Sequence, residues 1–165
     1  MDALTEQNLA IDAVENMMLN SDNLIEFPVK HSFTPGIYSR EIFMPKDSML
    51  TSKIHKTEHP YIVLTGVAVV HIPEGGVEVL AAGHSGITKP GTRRVLYIKA
   101  DCRWVTFHAL SAEEEQARVD GATDDELVDL IEGRILERKE LPDGRTMFEL
   151  YKQKIAVQKL EGGQS

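Results

Sequence analysis

The chain has 165 residues, 18 Lys and Arg against 26 Asp and Glu, a formal net charge of -8, and a single cysteine, Cys102. That length can bury a core without staples, and one cysteine excludes an intrachain disulfide, which suits a reducing interior. The acid excess argues against a nucleic acid duplex as partner; no apolar run reaches membrane-spanning length, and no secretory h-region opens the chain. A cytoplasmic protein with no membrane partner is therefore expected.

Leu4 to Leu19 carries apolar residues at helical spacing and ends in a polar cluster, Asn20 to Asn23, which predicts an amphipathic helix within residues 1–23. Pro28 and Pro35 then punctuate short apolar pieces, as in an edge strand with a turn at Thr34–Gly36. Strands are expected at Tyr38–Phe43, Met49–His55, Tyr61–Ile72, Val77–Ala82, Val95–Ile98 and Arg103–Leu110. Turns are expected at Pro45–Asp47, Pro73–Gly76, Gly83–Gly86 and Ala100–Asp101. Closely spaced short strands with no helix between them predict an all-β core, an antiparallel jelly-roll barrel over residues 24–110. Trp104, Thr106 and His108 share one face of its last strand.

From Glu113 to Glu140 there are eleven acids against four bases. Ser111 precedes three glutamates, and Thr123 to Glu126 is a capping box, so residues 111–165 read as a largely helical acidic extension. Around Pro142–Gly144 a terminal hairpin competes with helix. From Lys53 to Arg103 the balance reverses, with seven bases against four acids. A mildly basic core in an acidic protein points to a small anionic ligand as readily as to an ordinary domain beside a solvated helix.

Two glycine-punctuated stretches carry a pattern. Gly66 follows His59, His55, Lys53 and Asp47 at fixed intervals, and Gly83 and Gly91 precede Arg94 and Ile98, with Lys89 and Pro90 between. This resembles the paired signatures of the cupin superfamily, G-x5-H-x-H-x3,4-E-x6-G and G-x5-P-x-G-x2-H-x3-N. The resemblance covers residues 40 to 110. It implies the jelly-roll and an inward orientation for the signature positions. Of the family's four ligand positions only His55 keeps its histidine; His59 stands for glutamate, Lys53 for histidine and Arg94 for histidine.

Two chemistries use these residues. In one, Lys53, Arg93, Arg94 and Lys89 bind a phosphate or carboxylate, in a nucleotide for example, while His55, His59 and His108 move protons near neutral pH, with no cofactor required. Adjacent Arg93 and Arg94 face opposite ways on a strand, and the family spacing turns Arg94 inward. Tyr61 and Tyr97 are further candidates for stacking on a ligand. In the other, His55 and His59, with His108 as a third imidazole, hold one divalent transition metal. As an enzyme, the chain would be a hydrolase or lyase of a small phosphorylated or nucleotide ligand. A non-catalytic binding module and an assembly spacer are the remaining alternatives, and a homodimer or larger homo-oligomer is expected. His31, His71 and His84 read as hydrogen-bonding side chains near turns, and Cys102 as a small buried hydrophobe.

Overall fold

A computed structural model describes residues 3–72, 76–137 and 156–158. The N-terminal helix α1 spans Ala3–Leu19, and nine strands follow the order β1 Leu24–Ile25, β2 Val29–Thr34, β3 Ile37–Met44, β4 Ser48–Thr51, β5 His59–Ile72, β6 Gly76–Ala81, β7 Ser85–Thr88, β8 Val95–Ala109 and β9 Ala156–Gln158. Helices α2 (Ala112–Val119) and α3 (Asp124–Ile135) lie between β8 and β9.

Every strand pairing is antiparallel, and the two long strands β5 and β8 organise the rest. The C-terminal half of β8 pairs with β3 and with the start of β5, whose other edge takes β7. The N-terminal half of β8 pairs with β4 and with the end of β5, whose other edge takes β6. Two leaves therefore share two long strands, which is a jelly-roll. Hydrogen bonding among the described strands leaves the sheet open, with β2 and β1 at the ends of its path; the expected jelly-roll is present with its sheet unclosed.

The leaves change direction where the register of β5 and β8 slips, between Val63 and Ala68. Gly66 makes this possible: its φ is +82°, and a Cβ there would collide with the Asp101 carbonyl. For this reason Ala100–Asp101, expected as a turn, is the interior of one 15-residue strand. The expected turn over Gly83–Gly86 is shorter, because Ser85 already begins β7 against Ile62. Likewise β4 stops at Thr51, and His55 is held by an isolated bridge to Leu136 instead. β9, which sequence reading did not anticipate, pairs with both β1 and β4. The expected hairpin around Pro142–Gly144 and the tip Pro73–Gly75 lie outside the described residues.

The main core lies between the leaves and includes Met44, Val63, Ala68, Val70, Ile98, Cys102 and Trp104. A second cluster joins Ile131, Ile135 and Leu136 at the end of α3 to Tyr38, with Phe33 and Leu110 alongside. Both extension helices begin with complete capping boxes, Ser111 with Glu114 and Thr123 with Glu126. Glu114 also accepts from Arg134 at 2.7 and 2.8 Å, tying α2 to α3. Helices α2 and α3 of the acidic extension thus pack onto the jelly-roll.

Candidate functional site

Three strand ends meet beside α3. His59 opens β5 and pairs with Thr88 of β7. His108 lies near the end of β8, opposite Tyr38 of β3. His55 sits on the connection between β4 and β5, which the end of α3 pins: Lys56 donates to the Ile135 carbonyl at 2.6 Å and Glu137 to the Ile54 carbonyl at 2.8 Å. The three rings are mutual neighbours, with centroids 4.4 Å apart for His55–His59, 4.5 Å for His59–His108 and 5.4 Å for His55–His108.

One ring nitrogen from each lies within 4.8 Å of the others. Two nitrogens bound to one ion at about 2.0–2.1 Å stand at most about 4.2 Å apart, so a pair near the 4.8 Å limit would have to close by at least about 0.6 Å to share an ion. The nitrogens are prepared for this. His59 Nδ1 donates to the Thr57 carbonyl at 3.2 Å, which leaves the Nε2 lone pair free. His108 Nε2 lies 3.1 Å from Thr106 Oγ1, while its Nδ1 is buried with no hydrogen-bond partner. Burial, and then the other two imidazoles, push His55 down to about 2; burial and His59 push His108 down to about 3. His59 is lowered as well, chiefly by burial. Neutral imidazoles are what a metal needs, and the same lowering disfavours the protonated form on which general-acid work near pH 7 depends.

The histidines border a cavity of about 640 Å³ between the leaves. Its wall beside them also carries Lys53, Arg40, Arg94, Thr88, Thr106, Tyr38 and Glu132; Phe27, Ile42, Met44, Leu50, Leu96 and Trp104 are among its apolar lining residues. Lys53 Nζ lies 3.1 Å from Glu132 Oε1 of α3, and burial lowers the amine to about 8. None of Lys53, His55, His59 and Arg94 at the signature positions is a carboxylate; α3 supplies one in Glu132. Arg94 faces inward, 3.0 Å from Thr88 Oγ1 and 5.3 Å above the Tyr61 ring.

Other expected contributors stand elsewhere. Arg93 turns away from the cavity into a buried cluster, 2.8 Å from Asp12 Oδ1 and 3.2 Å from Glu15 Oε1 of α1. The Tyr97 hydroxyl donates to Asp47 Oδ1 at 2.8 Å, outside the cavity wall. Tyr61 lies behind the wall, stacked on Trp104 at 4.7 Å with its hydroxyl 3.1 Å from His84 Nε2. Lys89 pairs with Glu58 at the surface. Three wall residues were missed. Arg40 shares its strand face with Tyr38, Ile42 and Met44, an alternation the sequence does display. Tyr38 is buried, stacks on His108 at 5.7 Å and lies 2.6 Å from His31 Nδ1. Glu132 required knowledge of where α3 docks.

No family model matches this chain, and no curated protein matches it. Solved structures similar to it include an RmlC-like cupin from Shewanella frigidimarina (17% identity, TM-score 0.43, covering 53% of this chain and 79% of that one). They also include a cupin superfamily protein from Desulfitobacterium hafniense (9%, 0.44, 56% and 85%) and a DMSP lyase from Ruegeria pomeroyi (10%, 0.44, 60% and 72%). What classes the chain is its own topology. Two antiparallel leaves share long strands around a cavity, and Lys53, His55, His59 and Arg94 of the signature positions line it. The fold is an antiparallel jelly-roll, the architecture that the resemblance to cupins implied.

Proposed function

We propose that this protein holds one divalent transition metal on His55, His59 and His108 and binds, and acts on, a small anionic molecule beside it. The observation that carries the reading is the convergence of one ring nitrogen from each of three imidazoles within 4.8 Å, on a cluster in which His108 Nδ1 is buried without a hydrogen-bond partner. Three protein ligands leave coordination positions for a substrate, as catalytic centres do, and an all-imidazole set suits zinc, iron, nickel or copper. Such an ion supplies Lewis acidity, polarising an oxygen of the bound molecule.

The chain's own residues perform the remaining tasks. Thr57 and Thr106 orient their histidines through hydrogen bonds to the second ring nitrogen. Glu132 neutralises Lys53, so that cation does not oppose an ion two residues away. Arg94 and Arg40 attract and orient the anion, and the apolar wall excludes water, which strengthens both effects. Elemental analysis of the purified protein, and of protein reconstituted with each candidate metal, tests the reading. About one metal per chain is expected, falling sharply in His55→Ala, His59→Ala and His108→Ala. Retention of none of the metals above the buffer level overturns it.

A further inference from the structure

The cavity has two ends of opposite chemistry, and together they define a ligand class. At one end are two guanidinium groups. Arg94 bonds Thr88, which is the cross-strand partner of His59; Arg40 is the cross-strand partner of Thr106, which bonds His108. Neither makes an ion pair among the described residues, whereas Lys53, Arg93, Arg103, Arg118 and Arg134 all do. Arg94 is partly desolvated and Arg40 half-buried, and an anionic group between them would supply the counter-charge that each lacks within ion-pair distance. A carboxylate matches the forked donors of guanidinium.

Toward the interior the wall changes. Phe27, Ile42, Met44, Leu50 and Leu96 present only carbon and sulfur side-chain atoms, and the Trp104 ring completes that surface. A free inorganic anion would leave the wall facing water. A sugar phosphate or nucleotide would press hydroxyls against groups unable to hydrogen-bond them. A volume of about 640 Å³ sits within the roughly 300–1,000 Å³ range of small-molecule pockets, with room for more than an acid group. We infer that the ligand is an organic acid with an apolar body, its carboxylate held between Arg40 and Arg94 beside the histidines and its body against the inner wall. This rests on the proposed function for the site's location and narrows that reading's small anion to one class.

Titration calorimetry of the full chain with straight-chain carboxylates from acetate to decanoate, the matching primary alcohols, and glycerol and hexose phosphates tests the inference. Affinity is expected to rise about fourfold per methylene until the wall is covered. Octanol should bind at least tenfold more weakly than octanoate, and Arg40→Met and Arg94→Met should erase that difference while keeping the chain-length dependence. A flat chain-length profile, equal binding of octanol and octanoate, tighter binding of a sugar phosphate, or no binding of any acid overturns it. Repeating the series after chelation separates the two readings. Chain-length dependence in a protein that holds no metal upholds the ligand class and removes the metal; a loaded centre with a flat profile upholds the metal and removes the ligand class.

Discussion

Arg93 and Arg94 are neighbours in sequence and opposites in circumstance. Arg93 is buried against Asp12 and Glu15 of α1, so its charge is answered within the chain and its task is to fasten that helix to the β7–β8 turn. Arg94 points into the cavity, where a hydroxyl and an aromatic ring are its contacts. A buried cation with carboxylate partners is read as architecture. A cation that faces the cavity without an ion pair is read as half of a binding site, and the half-buried Arg40 is of this second kind.

The comparison breaks most visibly at Arg93. Arg93→Met leaves Glu15, 2% exposed, without its counter-charge, and should cost about 3–5 kcal/mol in chemical denaturation. Metal content should be unchanged, since the cluster does not touch the histidines. Loss of metal with little loss of stability would reverse the roles assigned to the two arginines. The next effect belongs to Arg94: Arg94→Met should weaken an anionic ligand by roughly 2–5 kcal/mol while leaving the unfolding midpoint nearly unmoved.

A smaller effect follows from the histidines. In the metal-free protein the folded values of His55 and His108 lie near 2 and 3, below the unfolded value of 6.5, so the unfolded chain binds more protons between those limits. Their contribution is full above pH 6.5 and is lost as pH falls toward the folded values. The slope is at most about 1.4 kcal/mol per pH unit for each histidine. His108→Ala should flatten it, and an unchanged slope in denaturation curves from pH 7 to 4 would argue that the ring is not desolvated. The smallest effect is remote. Thr123→Ala removes the N-cap of α3 and should cost about 1 kcal/mol, with faster amide exchange at Lys56 and Glu137, which hydrogen-bond across the α3 end and the His55 segment.

How much of this the sequence displays depends on how local the cause is. Strand β5 and the shared face of Trp104, Thr106 and His108 follow from alternation, which acts over a few residues, and the inward turn of Arg94 from the spacing of the cupin resemblance. The continuity of β8 through Ala100–Asp101 does not, because Gly66 on the partner strand creates the irregularity that absorbs it. Glu132 answers Lys53 only after α3 has docked on Tyr38, across a separation of 79 residues. Arg40 was visible in principle, alternating with Tyr38, Ile42 and Met44, but a lone arginine in a short strand reads as solvent-facing. The lowered histidine values were foreseeable in direction; their first cause is burial, which a sequence does not state.

The central claim is that His55, His59 and His108 form one metal centre. Adding Co(II) to chelator-treated protein and following its visible absorption tests this most directly. The account predicts a band that saturates at one equivalent per chain and is lost in His108→Ala, whose fold by circular dichroism remains intact. No band at all, or a band that His108→Ala leaves unchanged, would contradict it.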